Sequence, residues 1–135
     1  KSDLTIIASS IQVLPTSHRF EKWSNFPSDH IKLKNLLKKS AAPVLIISGD
    51  RHQGAIYQEK NIFEITSSSL NKTISASKFI GRPKEEDVLM QGDMYSGVNF
   101  GLITIDSDEK QYLIELKDLN GNQVRYKLID IEKGV

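Results

Sequence analysis

The sequence contains no cysteine, and that absence excludes several kinds of site. Without thiols, the 135-residue chain has no disulfide framework, no cysteine nucleophile and no thiolate ligand for a metal ion. It also lacks an excess of charge, since 18 Lys and Arg against 17 Asp and Glu leave a net charge of +1. Dedicated nucleic-acid binders carry a basic surplus. The longest apolar run, Val44 to Ile47, is too short for a membrane span. We therefore expect neither a nucleic-acid partner nor a membrane span.

The first 54 residues have the pattern of a βαβ unit. Strand-forming residues from Leu4 to Val13 predict a strand, and Val44 to Ile47 predicts a second strand buried on both faces. Between them, residues 28–39 predict a helix with Pro27 in its first turn. The apolar positions expected to share one face of that helix are Ile31, Leu33, Leu36 and Leu37. Strand, helix and strand in this order favour parallel pairing through a right-handed crossover.

Residues 55–135 are expected to be rich in β-structure. A hairpin of residues 55–58 and 62–66, a strand from Val98 to Ile105 and a final hairpin over 112–131 are predicted. Residues 71–97 show little periodicity and are expected to form long irregular connections. The fold class is therefore α/β in a mixed α+β arrangement, with a single domain over residues 1–135.

The last hairpin allows a prediction of register. A two-residue Asn120-Gly121 turn would mix apolar and polar residues on each face. We expect instead a three-residue loop, Leu119 to Gly121, with Gly121 in the left-handed conformation. That loop would place Leu116 opposite Val124, Ile114 opposite Tyr126 and Tyr112 opposite Leu128.

The segment directly after the buried strand, Ser48 to His52, is the main candidate site. Ligands gather at the carboxyl ends of strands in open α/β sheets, and Gly49 permits a tight exit from the strand. Asp50 and His52 would then project from the strand end, and a carboxylate with an imidazole suits zinc, iron or manganese. The alternative is structural: Asp50 caps a turn and His52 makes one hydrogen bond.

Other candidates compete with this segment. Trp23 is a candidate for lining a substrate cleft, with core packing as the alternative. His18 and His30 have no partner at metal-ligand spacing, so we expect solvent exposure or local hydrogen bonding. Lysines on the predicted helix are expected to form a solvated face; these are Lys32, Lys34, Lys38 and Lys39.

Several segments, in order, resemble the C-terminal part of PhoD-type alkaline phosphatases, a branch of the calcineurin-like metallophosphoesterases. The segments that carry the resemblance are Ser9 to Gln12, Glu21 to His30, Val44 to His52 with Ala55-Ile56 beyond, Glu64 to Leu70 and Asn99 to Leu102. The resemblance implies the C-terminal half of a four-layer α-β-β-α sandwich with two metal ions at the strand ends, iron and calcium in the PhoD branch. It also implies a phosphate-ester substrate, hydrolysis by metal-activated water and an extracytoplasmic location.

By the same resemblance, His52 and Asp50 would be metal ligands, and Arg51 between them would point at a phosphate oxygen. Asp50 stands where the superfamily pattern has a histidine, so its role as a ligand is less secure than that of His52. The other metal loops of the family lie upstream of these 135 residues, and no catalytic residue is assigned within them. We therefore expect the chain alone to be inactive and to need the missing N-terminal half of the domain to bind metals.

Two further expectations concern partners and alternative functions. Exposed edges on the opening strand and on the 44–47 strand would favour a homodimer or a domain swap. A non-catalytic β-rich binding or assembly module, with a purely structural turn at Asp50, is the main alternative to the phosphatase. A cupin-like oxygenase ranks last because the three histidines do not alternate on one strand.

Overall fold

The computed structural model describes residues 3–74 and 85–131 and shows a mixed α/β fold. Within these residues it has two sheets, one α-helix and a short 3₁₀ turn at Trp23–Asn25. The elements are β1 (Thr5–Ser9), α1 (Pro27–Leu37), β2 (Val44–Ser48), β3 (Gly54–Glu59), β4 (Ile62–Ser67), β5 (Asn99–Asp106), β6 (Gln111–Asp118) and β7 (Gln123–Asp130). In chain order a strand, a helix and a strand are followed by the further strands of residues 54–130.

The first sheet has the strand order β1-β2-β4-β3. β1 and β4 both run parallel to β2, and β3 pairs with β4 as an antiparallel hairpin. Parallel pairing of the first two strands is therefore confirmed, as is the hairpin after residue 54. The expectation of an unpaired edge on the 44–47 strand is wrong, because β2 is central and has a hydrogen-bonded neighbour on each side.

Two clusters of buried side chains lie on opposite sides of this sheet. On one side, Val44 and Ile46 of β2 pack with Leu37 of α1. On the other side, Leu45 of β2 packs with Tyr112 and Ile114 of β6. Both faces of β2 are covered, which explains why its residues form a continuous apolar run. The helix, the first sheet and the second sheet therefore form three successive layers.

Helix α1 has Pro27 at its first position, as expected, but only two of the four predicted apolar positions, Leu33 and Leu37, pack against the core. Ile31 and Leu36 are 60% and 64% exposed. The buried positions are His30 and Leu37, with Leu33 packed beside them. His30 lies on the buried side of the helix because its Nε2, 2.7 Å from the carbonyl oxygen of Val13, ties the helix to the segment after β1.

The β6–β7 hairpin has the predicted loop but not the predicted register. The Gly121 N–H donates to the Asp118 carbonyl, Asp118 pairs with Asn122, and Gly121 has a φ of 80°. A bulge between Leu116 and Lys117 then shifts the pairing by one residue. The observed partners are Leu116 with Arg125, Ile114 with Lys127 and Tyr112 with Ile129. The predicted matching of apolar faces is therefore wrong, and Tyr126 and Leu128 are exposed instead.

The stretch expected to be irregular runs beside β3 where the structure describes it. Within residues 71–74 and 85–97 there is no strand, but Met90 forms a bridge with Tyr57 and Tyr95 forms one with Gly54. Residues 75–84 of this stretch lie outside the described residues. The contacts of the 85–95 segment cover the free edge of β3, and its Glu85 pairs with Arg51 just after β2.

Candidate functional site

The turn after β2, residues 49–52, lies at the carboxyl end of the central strand. Asp50 has a φ of 68° and His52 a φ of 51°, so two of the four residues of the turn adopt the left-handed conformation. That conformation costs an L-residue roughly 1–2 kcal/mol, and such strain clusters at functional sites. A side chain at Gly49 would meet only ordinary contacts, the nearest being the Ser10 carbonyl oxygen at 3.6 Å. The unusual backbone therefore lies at Asp50 and His52, not at the glycine.

Burial alternates along this turn. Asp50 is exposed, Arg51 is 5% exposed and His52 is half-buried. The Arg51 N–H donates to the Ser68 hydroxyl at 3.0 Å, and that hydroxyl donates to the Gln53 carbonyl oxygen at 3.0 Å. The carboxylate and the imidazole thus lie on either side of a buried arginine, on a turn that is bonded to the loop after β4.

The Arg51 side chain is directed into the protein. Its guanidinium pairs with the Glu85 carboxylate and lies over the Phe20 ring, with Cζ 4.7 Å from the ring centroid. Nε and Nη1 are buried without a hydrogen-bond partner among residues 3–74 and 85–131. A guanidinium placed in this way anchors the turn from inside, and a contact with a phosphate oxygen stays a prediction.

His52 is oriented by a backbone carbonyl. Its Nδ1 lies 3.1 Å from the Lys72 carbonyl oxygen. A carbonyl oxygen can only accept, so Nδ1 carries the proton in this contact, and the neutral ring then has its lone pair on Nε2. Metal-binding histidines usually have this arrangement, with one ring nitrogen donating to an oxygen and the other binding the metal. The single hydrogen bond expected under the structural alternative is the same contact.

The donor set is incomplete within the described part of the chain. Over residues 3–74 and 85–131, no three His, Cys, Asp or Glu side chains are grouped closely enough to hold a metal ion. A metal site needs more ligands than Asp50 and His52 supply. Asp50 and His52 offer one carboxylate and one imidazole nitrogen, so other residues would have to supply the remaining ligands of any metal site.

Trp23 lies at the same edge of the sheet as the turn. Its Nε1–H donates to the Ser9 hydroxyl at 3.0 Å, and Ser9 at the end of β1 is paired with Ser48 at the end of β2. The indole is partly buried against the core cluster on the helix side of the sheet. The core-packing alternative describes these contacts, and a role in substrate binding stays a prediction.

The sequence analysis missed a buried carboxylate at the centre of the first sheet. Glu64 on β4 is fully buried and accepts hydrogen bonds from Val13 N–H, Leu14 N–H and the Ser48 hydroxyl. Burial raises its pKa to about 6, although these donors act in the opposite direction. A charged residue inside an otherwise apolar strand was the available signal. Glu64 ties the segment after β1 to the strands beneath it.

His18 is a second buried titratable group near the turn. Its Nδ1 accepts a hydrogen bond from Phe20 N–H, which confirms local hydrogen bonding rather than solvent exposure. Burial lowers its pKa to about 4, and the positive charges of Arg51 and Lys22 add to this effect. Burial and the two neighbouring cations therefore favour the neutral imidazole of His18.

A cleft of about 400 Å³ opens beside the turn, between the two sheets. Its lining residues are Ile47, Ile65, Ser67, Ser68, Leu70, Asn71, Asn99, Phe100, Gly101 and Ile103. It lies at the carboxyl ends of β2 and β4, where ligands of parallel sheets usually bind. No residue of this lining carries a charge.

No protein-family model matches the chain, and no curated protein matches its sequence. Among solved structures, the chain is similar to a protein described as GAP50, the anchor in the inner membrane complex of Plasmodium. The TM-score is 0.73 at 15% sequence identity, and the match covers 96% of this chain and 37% of that protein. Within the residues that the structure describes, no helix is long and apolar enough to cross a membrane. At this identity the likeness shows a shared fold, which spans little more than a third of the longer protein.

Proposed function

We propose that this chain is one half of a metal-dependent phosphatase or phosphodiesterase of the PhoD type. In this proposal His52 binds a metal ion through Nε2, and Asp50 contributes a carboxylate oxygen. Residues of the other half of the domain supply the remaining ligands. The observation that carries the proposal is the His52 ring, half-exposed at the end of the central parallel strand with Nδ1 on the Lys72 carbonyl.

The layers of the molecule are compatible with a four-layer sandwich. The described residues supply a helix and two sheets, and the outer face of the β5–β7 sheet has exposed Leu102, Tyr126 and Leu128. A further layer over that face would remove this apolar surface from water. The four-layer arrangement is part of the proposal.

A bound pair of metal ions would supply a hydroxide at neutral pH and a clamp for the phosphate oxygens. This chain would contribute the orientation of one ligand. The Lys72 carbonyl keeps the His52 ring in the tautomer that has a free Nε2. Arg51, between Asp50 and His52 in the chain, fixes the turn to the interior through its ion pair with Glu85.

The proposal is tested with His52→Ala in the encoded protein that contains this chain. We expect metal-dependent hydrolysis of bis(p-nitrophenyl) phosphate to fall at least about 100-fold, with loss of bound metal. Removing a residue that only orients a metal ligand already lowers metal affinity or activity by about 10–100-fold, and His52 is the proposed ligand itself. Lys60→Ala is the matched control, since Lys60 also has a left-handed φ, of 56°, in the distant β3–β4 turn.

Equal activity and metal content in His52→Ala and in the Lys60→Ala control would reject the proposal. A second candidate, a non-catalytic assembly module, is favoured by the incomplete donor set within residues 3–74 and 85–131. It predicts no metal-dependent hydrolysis by the encoded protein under any metal supplied. The 135-residue chain by itself is expected to be inactive under either candidate.

A further inference from the structure

We propose that the cleft between the two sheets binds the uncharged apolar group of a phosphate ester, of the size of an aromatic ring system. The assignment of the bound group to a phosphate ester rests on the proposed function. The binding site itself rests on the cavity and on its position beside the turn. Its volume of about 400 Å³ lies within the usual range for small-molecule sites.

The chemistry of the lining favours an apolar occupant. Apolar residues of three strands and one loop line the cleft; these are Ile47, Ile65, Leu70, Phe100 and Ile103. The side chains of Ile47, Ile65, Leu70 and Ile103 supply the apolar contact, because Phe100 alternates with Gly101 and Ile103 along β5 and directs its ring to the other face of the sheet. The polar lining consists of neutral hydroxyl and amide groups. A charged phosphate would be poorly solvated there, whereas an aryl or short alkyl group would bury apolar area.

Polar residues of the lining, here called the polar wall, already make hydrogen bonds within the protein; these are Ser67, Ser68 and Asn99. Asn99 is 1% exposed and donates to the Ser69 hydroxyl and the Gly97 carbonyl oxygen, while its Oδ1 accepts from the Ser67 hydroxyl. Since these partners are within the protein, the wall is held in a fixed shape. Selection in the cleft therefore depends on shape and apolar contact, with no need for an ionic partner.

The loop after β4 connects the cleft with the proposed metal ligand. Ser68 and Asn71 line the cleft, and Ser68 accepts the hydrogen bond from the Arg51 N–H of the turn. Lys72, the next residue, orients the His52 ring through its carbonyl. One side of this short loop thus faces the cleft and the other holds the turn. In the proposed arrangement, the phosphate of the ester lies at His52 and its organic group lies in the cleft, which shares this loop with the turn.

Gly101 makes room for the occupant. A Cβ at this position would lie 3.4 Å from Ile65 Cδ1 and 3.5 Å from Ser67 Cβ, both of which line the cleft. Its φ is outside the left-handed range, so the backbone accepts an L-residue there. Valine at 101 would fill the cleft and also suits a strand.

The test uses the 135-residue chain with labelled isoleucine δ1-methyl groups and 2-naphthol as an uncharged probe. We expect saturable NMR shifts at Ile47, Ile65 and Ile103, and no shift at Ile31, which is exposed on α1. Gly101→Val should weaken binding at least tenfold. Leu102→Val is the matched control, because residue 102 is on the same strand but does not line the cleft, and it should bind the probe normally.

Leu70→Ala provides a second variant whose folding is not in question, since Leu70 is 66% exposed. It should weaken naphthol binding several-fold by removing apolar contact at the rim. An absence of saturable shifts at millimolar naphthol, or equal binding by wild type and Gly101→Val, would overturn the proposal. Probe binding requires no metal ion and no ester bond. A lack of naphthol binding would therefore not change the interpretation of the His52→Ala experiment. Likewise, unchanged activity in His52→Ala would not change the interpretation of naphthol binding.

Discussion

At the scale of single residues, the Arg51–Glu85 ion pair connects the candidate turn with the interior. The Arg51 side chain is 3% exposed, whereas that of Glu85 is 21% exposed and keeps some access to water. A buried charge that loses its partner is strongly destabilising. The two residues should therefore respond unequally to substitution.

We expect Glu85→Gln to lower the free energy of unfolding by about 3 kcal/mol, since it leaves the Arg51 charge buried and unpaired. Arg51→Met should cost less, because the Glu85 carboxylate can turn to water. The double variant should cost less than the sum of the two changes. Urea denaturation at neutral pH measures all three.

The exposed Lys32–Asp29 pair on α1 is the control for this cycle, and its double-mutant coupling should be below about 0.5 kcal/mol. Additive effects of Arg51→Met and Glu85→Gln would show that the pair contributes no coupling energy. In that case Arg51 would anchor the turn through its packing on Phe20 alone.

Two buried titratable groups give opposite pH dependences of stability. The folded-state pKa of Glu64 is raised to about 6, so its stabilising effect is complete below about pH 4.5 and is lost as the pH rises to 6. The pKa of His18 is lowered to about 4, so its effect is present above about pH 6.5 and is lost as the pH falls. Between pH 4.5 and 6 the two contributions oppose each other in the wild type.

Single substitutions should separate these contributions. Relative to wild type, we expect Glu64→Gln to gain about 2 kcal/mol in free energy of unfolding between pH 4.5 and 7, at 1.36 kcal/mol per pKa unit. His18→Asn keeps an acceptor for Phe20 N–H, and its stability relative to wild type should fall over the same range. Urea titrations at several pH values measure both differences. Parallel curves for wild type and Glu64→Gln would contradict the raised pKa.

The position of the candidate site was predictable, but its internal anchoring was not. A short apolar run followed by a glycine and polar residues is a local signal, and Asp50 and His52 do lie at the end of β2. The inward direction of Arg51 depends on Glu85 and Phe20, which are 34 and 31 positions away along the chain. Contacts between residues so far apart in the chain produce no periodic pattern, so a single sequence does not predict them.

At the scale of elements, α1 illustrates how one polar contact overrides an apolar pattern. The sequence pattern predicts burial of Ile31 and Leu36, yet both are exposed, and the helix buries His30, which contacts the Val13 carbonyl oxygen. We expect Ile31→Lys and Leu36→Lys each to change the free energy of unfolding by less than about 0.5 kcal/mol. Leu37→Ala, on the buried face, should cost about 3 kcal/mol. Thermal or urea unfolding of these variants measures the difference, and a large loss in Leu36→Lys would contradict the observed orientation.

In the β6–β7 hairpin, the loop conformation depends on neighbouring residues, whereas the strand register depends on contacts with the rest of the fold. The loop follows from Gly121, whose φ of 80° suits glycine, and from Asp118, whose carboxylate accepts from the N–H groups of Asn120 and Asn122. Both signals are in the sequence within four residues of each other. The bulge lies next to Leu116, whose side chain packs against Gly54 of the first sheet. We attribute the bulge to this packing of β6 on the first sheet. The register therefore required knowledge of the other sheet.

At the scale of the whole molecule, β1 is at the end of the first sheet within the described residues. Ile6 on this strand is 48% exposed, on the side of β2 that carries Leu45 and the second sheet. An edge strand with exposed apolar residues is a template for pairing with another chain. In the proposed domain, this surface is where the other half would pack. In the isolated chain, a second copy is the available substitute.

We therefore expect the 135-residue chain to self-associate reversibly through β1, with a weight-average mass that rises with concentration in sedimentation equilibrium. Ile6→Lys should keep the chain monomeric over the same range, because a lysine on an edge strand opposes pairing. Leu119→Lys, at an exposed loop position on the other sheet, should associate as wild type does and serves as the control. A strictly monomeric wild type at high concentration would mean that the edge of β1 is already protected. Linking the chain to the other half of the proposed domain should also abolish association, since both would then compete for the same strand edge.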